Sequence, residues 1–234
     1  MRQKVMFIVP YALWIILFVV APLALIFYQS FFDINSHFTL ANYQDYLTSP
    51  TYLKMTLNSV WYAALITVVT LVISYPTAYV LTQLQNRQFW LLIVILPTWI
   101  NLLLKTYAFI GLFSRTGSIN QFLRFVGLGS HQLLFTDASF MLVAAYIEIP
   151  FMVLPIYNAL IEINPSLLNA SKDLGATSWQ TFRRIVFPLS MPGVTAGIPA
   201  VFIPSLSPFM ITRLIGGTPV ITLGTAIAAH FFPT

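Results

Sequence analysis

Residues 5–28 contain no charged side chain. That run narrows the possible folds sharply, because a helix crosses about 30 Å of hydrocarbon with about 20 apolar residues. It exceeds the apolar core of a secretory signal peptide, although Arg2 and Lys4 imitate the basic leader of one. It reads as a retained first membrane span. Comparable runs follow at 60–81, 89–113, 138–160 and 192–211, the third with Lys105 inside it and the fourth with Glu148. Backbone polar groups in lipid must be bonded within the protein, so continuous apolar runs point to helices. A β-barrel would need alternating strands of about 10 residues, and the continuous runs argue against it.

Composition agrees. Hydrophobic residues make up 58% of the chain and charged residues 7%, against about 25% charged in a soluble domain. The net charge of +5 is thinly scattered, with no basic run of the kind that binds nucleic acid. There is no Cys, and His37, His131 and His230 lack metal-ligand spacing. No Gly-Lys pair occurs, so the phosphate-cradling loop of nucleotide-binding proteins is missing. The expectation is a chain that binds no cofactor itself. A membrane enzyme would need converging catalytic groups, and none are evident.

Orientation is balanced on charge. With the N-terminus inside, inner segments hold Arg2, Lys4, Arg87, Lys172, Arg183 and Arg184, and the outer side and outer span ends hold Lys54, Lys105, Arg115, Arg124 and Arg213. The basic leader tips the balance toward N-inside. Trp61, Tyr62 and Trp90 fall at span ends, where amphipathic rings favour the interface. Residues 29–56 and 114–137 are polar loops, the latter with a short helix predicted at "SINQFLRFVGL". The tail from Leu214 is too interrupted to read as a span.

The loop at 161–191 is the most polar stretch. Asn164 before Pro165 is a helix start. Leu167, Leu168, Ser171 and Leu174 form a narrow stripe at helical spacing. Gly175 suits a left-handed helix end. Thr177 with Gln180 fits a capping box, Arg183 and Arg184 suit a C-terminal end, and Pro188 is expected to stop or kink the second helix. Two short helices hinged at a glycine can simply cover the end of a bundle, or can receive a partner.

This loop resembles the cytoplasmic loop of permease subunits in binding-protein-dependent ABC importers. That motif reads Glu-Ala-Ala, three residues, Gly, nine residues, then Ile-x-Leu-Pro. Here Asn169-Ala170-Ser171 is followed by Lys172-Asp173-Leu174, Gly175, nine residues and Ile185-Val186-Phe187-Pro188. The spacing is intact; Asn169, Ser171 and Phe187 depart from the pattern. Further stretches, "QSFFD", "FTLANYQDYL", "ISYPTAY", "LPTWINLLLKTYAF", "PFMVLPIYNAL" and "FPLSMPG", are similar to the permeases of spermidine/putrescine importers. The resemblance runs from about residue 8 to 230.

It implies an all-α integral membrane protein of the type I ABC importer permease fold, a single permease domain over 1–234. Five spans are visible where the family has six, so the last family helix is expected to be lacking. It implies a non-catalytic transport subunit in the bacterial inner membrane. The implied partners are ATPase subunits carrying ATP and Mg, a second and different permease chain, an extracytoplasmic solute-binding protein and membrane lipid. The coupling residues it implies are Leu167, Leu168, Asn169, Ala170, Ser171, Asp173, Leu174, Gly175, Ala176, Arg183 and Pro188.

Glu148 stands mid-span beside Pro150. An ionisable residue at that depth faces a cavity or a partner. It can meet a cationic amine in the pathway, or it can pair with a neighbouring helix through Lys105. Asn101 can bond between helices, and Trp99 and Tyr107 can stack on amines or pack and anchor. The competing function is a self-contained secondary transporter or channel with Glu148 as its ion or proton site. Pro199, Pro204 and Pro208 argue against a regular helix at 192–211.

Overall fold

In the computed structural model, residues 2–32 and 37–216 are described. They are helical, and the one β contact among them is an isolated antiparallel bridge between Phe32 and Phe38. Contacts divide the chain into two compact units, Met1–Lys54 and Met55–Thr234.

The first unit holds α1 (Arg2–Ile15), a π-helical turn at Ile16–Val20, α2 (Ala21–Gln29) and α3 (Ala41–Thr48). Ile8–Gln29 is a candidate span whose side chains are outward-facing within the structure, as expected of a surface solvated by lipid. Beyond it, Asn42 Nδ2 donates to the carbonyls of Ser30 and Phe32, both at 3.1 Å, and Phe31 packs on Phe38 and Tyr43.

Next along the chain is α4 (Pro50–Gln83). After it come α5 (Arg87–Ile95), a 3-10 turn at Leu96–Trp99, α6 (Leu102–Phe113), α7 (Ser118–Phe125) and α8 (Asp137–Ile161). The chain continues through α9 (Pro165–Asp173), α10 (Ser178–Thr181), a π-helical turn at Phe182–Val186, α11 (Phe187–Ser205) and α12 (Phe209–Ile211). Among the described residues four helical stretches are long and apolar enough to span a membrane, or five if the bent pair around Ile100 is one span.

Three expectations are corrected. The third span is not one rod: Arg87–Trp99 and Leu102–Phe125 are bent by 93°. Ile100 is extended with ψ 135°, and Asn101 caps α6 by accepting the Leu103 N–H at 2.8 Å. The apolar run conceals a helix end because the cap is a single polar residue. Second, of stopping or kinking the helix, Pro188 does not do the first, and the fifth span runs Ser178–Ser205. The π-helical turn directly before it widens the helix where the proline ring would otherwise strike the preceding turn. The same arrangement recurs in the first span, where Ile16–Val20 precedes Pro22 as Phe182–Val186 precedes Pro188. Third, Pro199 and Pro204 do not break α11, which carries them and Pro192 within one α-helix; the irregularity expected over 192–211 falls at 206–208, beside Pro208. Each proline withdraws one donor, and membrane helices tolerate that loss when surrounding groups compensate. The helix ends before Pro208.

The core of the second unit is the pairing of α8 with α11, the most extensive helix contact. Gly193 and Gly197, one turn apart, let the backbones close. A Cβ at Gly193 would lie 2.5 Å from the Pro155 carbonyl oxygen and 2.7 Å from Ala159 Cβ, and one at Gly197 would lie 2.6 Å from Met152 Sδ. Small residues spaced by four serve this purpose in lipid, where no hydrophobic force draws helices together. Ile66, Phe140, Val143, Met152, Ile156 and Val201 are fully enclosed around that seam. The short helix expected near residue 118 is α7. Residues 217–234 of the tail, with His230, lie outside the described residues.

Candidate functional site: the loop between α8 and α11

The helix α9 is started by Asn164, whose Oδ1 accepts the Ser166 N–H at 3.0 Å, with Pro165 in its first turn. It ends in a Schellman arrangement: Gly175 N–H donates to the Lys172 carbonyl at 2.9 Å and Ala176 N–H to the Ser171 carbonyl at 3.0 Å. Gly175 has φ +76°, the left-handed region that side chains avoid. Thr177 then starts α10 with a complete capping box. Its Oγ1 accepts the Gln180 N–H at 3.3 Å, and Gln180 Oε1 accepts the Thr177 N–H at 2.9 Å. These caps stand where the sequence puts them.

The apolar stripe does not share one environment. Ser171 is buried and Leu168 half-buried against the core, while Leu167 is outward and Leu174 is 88% exposed. Asn169, Ala170, Asp173, Arg183 and Pro188 are exposed, and Ala176 is half-buried. Trp179 is 68% exposed. One side of the hinge thus packs on the bundle, and the other offers large apolar groups outward.

Two connections carry no mark in the sequence pattern of the loop. Ser171 Oγ and Thr181 Oγ1 are hydrogen-bonded at 2.6 Å across the Gly175 turn. Phe182 lies at the centre of an aromatic cluster, stacked with Trp179 at 5.6 Å and edge-on to Tyr79 at 5.3 Å, while Tyr75 OH bonds Ser190 Oγ at 2.7 Å. Their trace in the sequence is Tyr75 and Tyr79, four residues apart and so on one helix face.

The second candidate set lies in the spans. Glu148 and Lys105 are both half-buried and interact electrostatically. Neither side chain makes a hydrogen bond or ion pair among the described residues. The carbonyl of Ile149, next to Glu148, accepts from Ser74 Oγ of α4 at 3.4 Å, and Phe109 of α6 meets Tyr146 of α8 edge-on at 5.1 Å. Three helices therefore meet near this carboxyl group. Asn101 is occupied as a cap, and Trp99 and Tyr107 face outward.

Residues 44–232 match the family described as binding-protein-dependent transport system inner membrane component. The chain is 35% identical over 228 residues to the spermidine/putrescine transport system permease protein PotB of Escherichia coli, covering 93% of this chain and 82% of that one. It is 33% identical to the protein of the same name in Haemophilus influenzae, covering 93% and 79%. A bacterial ABC transporter involved in the import of the acidic polysaccharide alginate has the same fold, with a TM-score of 0.80 at 17% identity, covering 99% of this chain and 85% of that one.

Proposed function

The chain belongs to the inner membrane components of binding-protein-dependent transport systems, and from that premise we propose that it moves a small polyamine, of the spermidine/putrescine class, across the inner membrane. It is a multi-pass permease subunit of an importer. Loop 161–191 and the N-terminus lie on the cytoplasmic side, and the loop receives the movement of partner ATPases that hold ATP and Mg. A second, different permease chain completes the pathway, and a solute-binding protein outside delivers the cargo.

The observation that carries this reading is the two-sided hinge. Phe182 binds it to the bundle through Tyr79 and Ser171 joins its two helices through Thr181, while Leu167, Leu174 and Trp179 stand outward. An amphipathic helix with outward apolar anchors suits a groove on another protein. A rigid element fixed at both faces transmits displacement. In the pathway, Glu148 is the carboxylate suited to a cationic amine.

Glu148 also favours a second reading, a secondary transporter that uses this carboxyl group as an ion site. Purifying the chain with its ATPase and second permease, then measuring labelled spermidine uptake into liposomes, separates the two. Uptake that needs binding protein and internal ATP is expected. Uptake by this chain alone, driven by an ion gradient, overturns the importer reading.

A further inference from the structure

A cavity of about 480 Å³ lies where α4 ends, α5 begins and α8 gives way to α9. That volume is within the range of small-ligand sites, about 300–1,000 Å³. Arg87 and Lys172 both line it, with Gln83 and Ser178 beside them as further donors, while Leu160 and Phe182 form part of an apolar floor. No carboxylate lines it. Glu162 lines a separate cavity with Asn164 and Leu189, and Asp173 lines neither. Neither the Arg87 guanidinium nor the Lys172 ammonium makes a hydrogen bond or ion pair among the described residues. Two cations thus share one concave site, with no carboxylate among the described residues that line it.

We propose that this cavity holds the headgroup phosphate of an anionic phospholipid, gripped by Arg87 and Lys172 at the boundary where loop 161–191 meets the bundle. The guanidinium fork and the ammonium suit phosphate oxygens. The apolar floor favours an amphiphile over a free anion, because an inorganic phosphate gains nothing from Leu160 and Phe182. The position fits as well. The cavity gathers the ends of three apolar helices, and the exposed Phe89–Trp90 ring pair stands just inside α5, as aromatic residues do at the headgroup level. Basic pockets between spans are where acidic headgroups bind. The lipid would wedge between α9 and the bundle, on the side of the hinge opposite Leu174. Its inner-leaflet placement rests on the orientation proposed above; the binding itself needs only the membrane boundary.

The test is native mass spectrometry of the assembled transporter released from nanodiscs of mixed phosphatidylglycerol and phosphatidylcholine. The wild type should retain phosphatidylglycerol that the Arg87→Gln/Lys172→Gln variant loses, with phosphatidylcholine retention equal in both. The charge-conserving Arg87→Lys/Lys172→Arg variant should keep the lipid. Should the neutral pair fail to assemble, either neutral single variant should lower the retained fraction. Equal phosphatidylglycerol in all variants overturns the proposal. So does displacement of the lipid by millimolar inorganic phosphate, which would make the ligand a free anion. Loss of the lipid with spermidine uptake intact would leave the transport reading standing, so the two fail separately.

Discussion

Ser171 Oγ and Thr181 Oγ1 lie 2.6 Å apart in a buried position, joining the helices on either side of the Gly175 turn. The bond ties α9 to the helical stretch Ser178–Ser205. Ser171→Ala leaves the Thr181 hydroxyl buried without this partner, a cost of about 1–3 kcal/mol. Adding Thr181→Val removes the stranded group and should return much of it. A double-mutant cycle on thermal stability of the detergent-solubilised complex should therefore be non-additive; additive losses would mean the two hydroxyls do not act together.

Gly175 is required for its backbone and not for space, since nothing lies within 4 Å of where a Cβ would stand. A left-handed L-residue costs about 1–2 kcal/mol, least for Asn and most for a β-branched side chain. Gly175→Val should lower uptake per ATP hydrolysed, and Gly175→Asn should lower it less. The ratio of spermidine transported to phosphate released is the measurement; an unchanged ratio in the Val variant counts against the hinge as a coupling element.

The loop was legible because its signals are local. A cap, a proline, a glycine and a capping box each act within four residues, so Asn164, Pro165, Gly175, Thr177 and Gln180 could be placed without a fold. The contact of Ser171 with Thr181 was not legible, because it depends on how the chain turns back at Gly175. Nor were the helix ends at Ile100 and Asn101, since an apolar run hides a break that only one polar residue marks. Pro188 misled for a related reason: propensity describes the proline, while the π-helical turn that accommodates it is a property of the preceding five residues. Near Glu148, chain position gave depth in the membrane, but the helices that meet there come from distant parts of the sequence.

Gly193 sets the approach of α11 to α8. A methyl group there would lie 2.5 Å from the Pro155 carbonyl oxygen and 2.9 Å from Ile156 Cα, both backbone atoms that cannot swing aside. Overpacking of this kind costs about 1–3 kcal/mol. Gly193→Ala should lower the melting temperature of the purified complex clearly. Gly197→Ala should cost less, because its nearest obstacle is the flexible end of Met152. The reverse order of the two variants would refute this account of the seam.

Thr70 is the opposite case. Its hydroxyl is buried in α4 with no hydrogen-bond partner among the described residues, whereas Thr67 in the same helix donates to the Ala63 carbonyl at 2.7 Å. Replacing an unsatisfied hydroxyl by a methyl of the same shape is neutral or stabilising by up to about 1 kcal/mol. Thr70→Val should therefore leave the melting temperature unchanged or raised. A fall would mean that the hydroxyl acquires a partner in the assembled transporter.

Glu148 separates binding from structure most directly. It is half-buried, interacts with Lys105 and stands beside the α4 contact at Ile149. If the carboxylate meets the amine of the cargo, Glu148→Gln keeps the shape and removes the attraction. The KM for spermidine should then rise about tenfold, a loss of about 1.4 kcal/mol, while assembly and ATP hydrolysis persist. Glu148→Asp should lie between the variant and the wild type. Lys105→Met adds a second axis, because it removes the competing cation and should lower the KM in the wild-type background but not in Glu148→Gln. If instead the pair only fastens α6 to α8, Glu148→Gln and Lys105→Met should both reduce stability and leave the KM where it was. Uptake kinetics and melting curves on the same preparations decide between these outcomes.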